Sequence, residues 1–232
     1  MTKKKLTYAI ADLHGRFDLL SQAYAEIIEH SEGPATIVHL GDYVDRGPQS
    51  RAILEFLMDP DTAPTSCRRI ILKGNHEDMM VSTLRAPLHP KWWIGNGGGQ
   101  TLISYGHARS GDYCPDVVPG AHVEWLESLP LMHVDRHRIF VHAGVDPTLA
   151  LDQQTDEYLL WSLYPDGFAD GHGNHHVVHG HHQFAHGPKL FAGRSDLDTF
   201  AWYTGRLVVG VFDDNIPGGA IEFIEIKGPP AA

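Results

Sequence analysis

The first third of this chain repeats one pattern. A short apolar run is followed by a polar, glycine-punctuated turn and then by a stretch of helical periodicity. Leu6 to Ala11 reads as a buried strand, and Phe17 to His30 sets Leu20, Tyr24, Ile27 and Ile28 at helical spacing. After the Gly33-Pro34 break, Ala35 to Leu40 is a second strand and Ser50 to Met58 a second helix; Arg69 to Leu72 and Glu77 to Leu84 repeat the unit. Strands alternating with helices predict an α/β sheet with helices on its faces.

The second half changes character. Leu131 to Val134 and Arg138 to Val141 read as a hairpin, and Val177 to His179 as a short central strand. Leu197 to Trp202, Arg206 to Phe212 and Ile221 to Ile226 read as strands joined by turns at Tyr203-Thr204-Gly205 and Pro217-Gly218-Gly219. Two sheets packed face to face with helices outside account for both halves. At 232 residues the chain fits one domain, residues 1–232, with no sequence repeat beyond that strand-helix alternation and no linker suggesting a second domain. Pro87 to Gly99, with Trp92, Trp93 and four glycines, reads as an ordered loop or lid over a site, and Asp166 to His176 as a surface loop.

A formal net charge of -11 argues against binding nucleic acid through a broad basic face, yet leaves an anionic substrate open if bound cations reverse the local potential. Cys67 and Cys114 are far apart and have neither zinc nor redox spacing. The basic start, Met1 to Lys5, runs into an apolar stretch cut by Asp12 and His14, which fits neither a signal peptide nor a membrane span and makes the cytoplasm the expected compartment.

The chemistry is concentrated where the apolar runs end. Asp12 and His14 are two residues apart, so both side chains face one way if the strand persists, and Gly15 allows a sharp turn. Asp42, at the corresponding place in the next unit, has two oxygens and suits bridging of two cations. Asp45 and Arg46 follow in the same loop. The guanidinium offers a planar fork for phosphate oxygens, although the two could simply pair with each other. Asn75 can lend a neutral carbonyl oxygen to a metal, leaving His76 free to donate a proton and Asp45 to hold that imidazole in the right tautomer. His142 and His181 each follow an apolar run beside a glycine. For His181 the alternative is a solvated His-rich tract, since His172, His175, His176, His179, His182 and His186 lie close in sequence. Carboxylates, imidazoles and an amide, with an Arg and a His to spare, are the inventory of a metal-dependent phosphoesterase.

Taken in order, Asp12-Leu13-His14-Gly15, Gly41-Asp42-Tyr43-Val44-Asp45-Arg46-Gly47, Gly74-Asn75-His76-Glu77, His142-Ala143-Gly144 and Gly180-His181 resemble the signature of the phosphoprotein phosphatases in the calcineurin-like metallophosphoesterase superfamily, especially small bacterial and bacteriophage-type members. The resemblance implies a four-layer αββα sandwich, two mixed sheets flanked by helices. It implies two metal ions, manganese, iron or zinc and sometimes nickel, the first held by Asp12, His14 and Asp42, the second by Asp42, Asn75, His142 and His181. His76 would be the general acid supported by Asp45, Arg46 would grip the phosphoryl group, and a metal-bridging hydroxide would attack in line. The implied reaction is hydrolysis of phosphomonoesters, as a protein serine/threonine or tyrosine phosphatase acting on phosphorylated protein or a small phosphoester.

The sequence departs from the family where a second phosphate-binding Arg is usual. Leu159-Leu160-Trp161-Ser162-Leu163 has none, and no Arg follows until Arg194. Arg194, Asn96 and Arg109 are the candidate replacements. Relatives with the same motifs hydrolyse symmetrical dinucleoside polyphosphates, which makes that the competing activity; Trp92 or Trp93 would then stack on a nucleobase rather than pack within a lid. A third reading is a catalytically silent metal-binding interaction protein, against which stand the retained ligands with His76 and Asp45.

Overall fold

The structure, a computed structural model, describes residues 5–64, 66–86, 90–109 and 111–231. The basic Met1 to Lys4 and the Pro87 to His89 part of the expected lid lie outside the described residues.

β1 (Leu6–Ile10), β2 (Ala35–His39) and β3 (Cys67–Ile71) pair in parallel, with Leu6 opposite Ala35 and Ala35 opposite Cys67. Between them run α1 (Phe17–His30) and α2 (Ser50–Met58), and α3 (Asn75–Arg85) follows β3. The residues after all three strands therefore emerge at one edge of the sheet. β9 (Arg206–Asp213) pairs antiparallel with β1, and β10 (Glu222–Lys227) with β9, giving the order β10-β9-β1-β2-β3. The C-terminal strands thus complete the first sheet instead of building the second. The second sheet is mixed: β4 (Met132–Val134) and β5 (Arg138–Val141) form the expected hairpin, β6 (His176–His179) lies parallel between β5 and β8 (Arg194–Asp196), and β7 (Lys189–Leu190) closes the far edge.

The period of two along each strand sorts side chains into separate apolar layers. Tyr8 and Ile10 of β1 and Leu207, Val209 and Val211 of β9 face the layer under α1, α2 and α3. Ala9, Val38, Ile70, Phe140, Val178 and Phe212 fill the space between the sheets. Ile139, Val141 and Val177 turn to the outer face, against Leu159 of α7 (Asp156–Trp161). Phe140 and Phe212 meet edge to face across the sheets with centroids 5.8 Å apart, a contact that adds about 1 kcal/mol to their burial. This is the expected α/β architecture of two mixed sheets flanked by helices.

Two local expectations fail. The apolar run from Leu197 to Trp202 is not a strand: Phe200 takes a left-handed conformation at φ 58°, and α8 (Ala201–Thr204) follows. The described part of the expected lid is helical, α4 (Pro90–Trp93) leading through a wide turn at residues 94–98 into α5 (Gly99–Ser104). Gly97 supplies the break with φ 109°, its backbone lying against Arg46 so closely that a Cβ there would collide with the Arg46 amide. α6 (Gly120–Glu127) completes the helical layer on this side. No helix among the described residues is long and apolar enough to cross a membrane.

Candidate metal centre

Loops following β1, β2, β5 and β6 carry Asp12, Asp42, His142 and His181, and Asn75 opens α3 just past β3. Asp12, His14, Asp42, Asp45, Arg46 and His181 all adopt positive φ, between 41° and 74°. Such a concentration of non-glycine residues in a sparsely populated region marks backbone held against its local preference. The holding contacts are visible: His14 N–H donates to Asp42 C=O at 2.8 Å and Gly15 N–H to Tyr43 C=O at 2.9 Å, locking the first two loops together. Gly180 has no substitute here, because a Cβ would overlap the Asp12 carboxylate.

Glu77, to which the sequence reading assigned no role, organises these loops. It is fully buried at the start of α3, and its two oxygens accept from the amides of Asp42 (2.7 Å), Tyr43 (2.8 Å), Val44 (3.2 Å) and Gly74 (2.9 Å). Burial and the neighbouring Asp42 raise its pKa to about 7. A capping residue three positions into the helix was a legible signal for it.

Among the described residues, ligand-capable side-chain atoms within 4.8 Å of one another form two groups that share Asp42: His14, Asp42 and His76, and Asp42, His142 and His181. Asn75 joins the second through Oδ1, 2.9 Å from His142 Nε2. Asp12 belongs to neither group. It is buried beside them, its oxygens accepting from the His181 amide at 3.1 and 3.2 Å. Burial, then Asp198, then Asp42 push its pKa well above the carboxylate range.

The tautomers argue for a cation. His14 Nδ1 donates to Val44 C=O at 2.8 Å and His142 Nδ1 to Leu40 C=O at 2.9 Å, so each presents an Nε2 lone pair to the group. Those lone pairs face Asp42 oxygens at 3.3 and 3.4 Å, acceptor against acceptor. Turned over, the Asn75 amide would donate to His142 Nε2 at 2.9 Å and to Asp42 at 3.1 Å; a cation, if bound, would favour the opposite orientation, which offers Oδ1 to it. Burial keeps His14, His142 and His181 neutral, His181 down to about 3, as metal ligands require. Burial opposes ionisation of Asp42, yet in acid, where the imidazoles of His142, His76, His14 and His181 take up protons, their charge holds it below its ordinary value.

Positive charge already enters this cluster through Arg46. Its Nη1 donates to His14 Nε2 at 2.7 Å and its Nη2 to His76 Nε2 at 3.0 Å, while the guanidinium lies 5.7 Å from the Trp202 ring. Asp45 and Arg46 therefore do not pair with each other on a solvated loop. Asp45 is fully buried, and its Oδ2 lies 2.7 Å from His76 Nδ1. Burial works against the His76 imidazolium, but Asp42 and the hydrogen bond His76 donates to Asp45 raise its pKa overall. The Asp45 carboxylate also accepts from Thr101 Oγ1 at 2.7 Å and from Trp93 Nε1 at 3.1 Å to each oxygen. Thr101 carries no signal in the sequence, and Trp93, expected in a lid, proves to be the indole that reaches Asp45; nothing in a Trp-Trp pair says which one turns inward.

The candidate second phosphate clamps have these surroundings. Arg194 is buried between Tyr164 and Phe191, its Nε donating to Phe168 C=O and its Nη1 to His179. Asn96 donates to Trp92 C=O at 2.8 Å, and Arg109 is exposed.

Residues 6–211 match the model of the calcineurin-like phosphoesterase family. Among curated proteins, the chain is 27% identical to a symmetrical bis(5'-nucleosyl)-tetraphosphatase of Stutzerimonas stutzeri, over 63% of this chain and 47% of the relative. It is 26% identical to the enzyme of that name from Methylobacillus flagellatus, over 74% and 57%. An uncharacterized Schizosaccharomyces pombe protein is 29% identical over 65% and 47%. The chain spans about half the length of these relatives. In fold it is similar to a crystal structure described as a candidate diadenosine tetraphosphatase, with TM-score 0.67 and 18% identity over 98% of this chain and 95% of that one. It is also similar to a protein serine/threonine phosphatase from Saccharomyces cerevisiae, with TM-score 0.62 and 15% identity over 100% and 82%.

Proposed function

Because the chain belongs to the calcineurin-like phosphoesterase family, and is thus a metal-dependent phosphoesterase, we propose that it hydrolyses symmetrical dinucleoside polyphosphates, cleaving the phosphoanhydride at the centre of the substrate. What favours this over a protein phosphatase is the set of named curated relatives, which are symmetrical bis(5'-nucleosyl)-tetraphosphatases. Likeness to the protein phosphatases is one of fold at low identity.

Asp12, His14 and Asp42 would hold one metal ion, and Asp42, Asn75, His142 and His181 the other. When bound, the ions supply a nucleophile from water at neutral pH and neutralise charge on the phosphoryl oxygens. Once Arg46 has turned to substrate, His76 Nε2, which accepts from that guanidinium here, is free to take a proton and hand it to the departing phosphate oxygen, while Asp45 fixes the tautomer through Nδ1. Arg46 swings its fork from His14 and His76 to the phosphoryl oxygens, staying beside Trp202. Beyond Arg46 a cleft of about 560 Å³, lined in part by Gln49, Gln100 and Trp202, gives an extended substrate room past the reacting phosphate. The leaving group of an anhydride is itself a phosphate and a far better one than an alkoxide, so its departure leans less on the His76 proton.

The test is turnover by metal-free protein reconstituted with manganese, offered diadenosine tetraphosphate, a phosphopeptide, an aryl phosphomonoester and an aryl phosphodiester. Diadenosine tetraphosphate should be preferred and should yield two molecules of adenosine diphosphate. Preference for the phosphopeptide would return the assignment to a protein phosphatase, and no turnover with both metals bound would leave a silent binding protein.

A further inference from the structure

The two adjacent tryptophans of the expected lid are put to opposite uses. Trp93 is fully buried and tied to Asp45, whereas Trp92 is 52% exposed. Trp92 stacks on Trp161, at the end of α7, with centroids 5.7 Å apart and planes at 25°. Trp161 in turn meets the imidazole of His181 edge-on at 6.5 Å. An aromatic path therefore runs outward from a candidate metal ligand and ends on a half-exposed indole. The ledge is held from both sides of the chain: Asn96 Nδ2 donates to the Trp92 carbonyl, and the next residue is anchored at Asp45. Half of the Trp92 surface stays in water despite that stack, which leaves a large aromatic ring available to a flat partner.

The geometry points to a nucleobase-binding ledge, with the base of a nucleoside polyphosphate stacked on the outer face of Trp92 while its phosphates reach inward past Trp161 to His181. This inference rests on the dinucleotide reading of the same site. Stacking accepts any base, because every base has a π face, so the ledge selects nucleotides over other phosphoesters without selecting among nucleotides. Trp92 acts on affinity, and it stands apart from the groups that move protons.

Binding of adenosine diphosphate, a stable product, to the zinc-loaded protein by titration calorimetry tests this directly, with inorganic pyrophosphate as the probe lacking a base. Trp92→Ala should weaken adenosine diphosphate about tenfold, the low end of what base stacking contributes. Trp92→Phe should restore most of that affinity, and pyrophosphate should bind all three proteins alike. Equal binding of adenosine diphosphate by wild type and Trp92→Ala would overturn the ledge, as would a matching loss of pyrophosphate. Wild-type turnover of diadenosine tetraphosphate, measured in parallel, separates the two readings. Turnover combined with an unaltered Trp92→Ala affinity sinks the ledge alone, and base-dependent binding without turnover sinks the dinucleotide activity alone.

Discussion

Replacing Thr101 by valine removes one hydroxyl while keeping the shape of the side chain, and that hydroxyl has two duties at Asp45. It donates to Asp45 Oδ1 at 2.7 Å and accepts from the Asp45 amide at 2.8 Å, and both residues are fully buried. The amide keeps a second acceptor in Ser50 Oγ at 3.1 Å, so its loss is partial. The carboxylate keeps His76 and Trp93 but loses a short donor in a place water does not reach. A hydrogen bond to a buried charge contributes about 1.5–3 kcal/mol, and the weakened amide bond adds about 0.5 kcal/mol, so Thr101→Val should destabilise the fold by about 2–3.5 kcal/mol. The shift is read from urea midpoints at pH 7.5. Because Asp45 sits at φ 74° and orients His76, kcat should fall about tenfold at unchanged metal content, a fraction of what general acid catalysis is worth. Thr101→Ser, which retains the hydroxyl, should recover most of both losses. A valine variant within 0.5 kcal/mol of wild type by the ordinary tolerance of surface changes, or a serine variant worse than the valine one, would refute the idea that Thr101 pins Asp45.

Glu77→Gln places an NH2 group against two of the four amides that Glu77 accepts from, and should cost about 3 kcal/mol together with weaker metal retention on dialysis; an unchanged unfolding midpoint would count against its organising role. His76→Ala should leave metal content intact and lower turnover by about 10²–10⁴-fold. The loss should sit near the lower bound for a phosphoanhydride and near the upper one for an alkyl phosphomonoester, and equal losses on both substrates would contradict proton donation to the leaving oxygen. Stability should fall in acid. Burial, then Arg69, hold His39 down to about 3 from 6.5, so its neutral form favours the fold above about pH 6.5, and that contribution drains away as pH drops towards 3. Between pH 7.5 and 5.0 His39→Gln should lose about 2 kcal/mol less than wild type, as measured by urea unfolding; parallel losses would show that His39 is not the group responsible.

The helices Phe17–His30 and Ser50–Met58 and the strands flanking the motifs were legible because their apolar spacing serves local structure and burial at once. Leu197 to Trp202 misled because apolar content alone does not distinguish a strand from a buried turn, and the bond from Phe200 N–H to Asp198 Oδ1 at 2.7 Å favours the turn. The C-terminal strands were recognised as strands, but their partner was not. Antiparallel pairing of β9 with β1 is a contact between residues some two hundred positions apart, and nothing in either segment names the other.

For the site, the sequence by itself determined which chemical groups are present and that they follow strand ends, because motifs of that kind are short and local. Only the tertiary structure decided how they are arranged. It turned Asp12 towards the His181 amide, set Arg46 on His14 and His76, and buried Arg194 between aromatic rings. It also sent Trp93 inward to Asp45 and left Trp92 outward on Trp161. The physical reason is the same in each case: a side chain's role follows from what lies within hydrogen-bonding or van der Waals reach, and here those neighbours are brought from distant parts of the chain by the packing of two sheets.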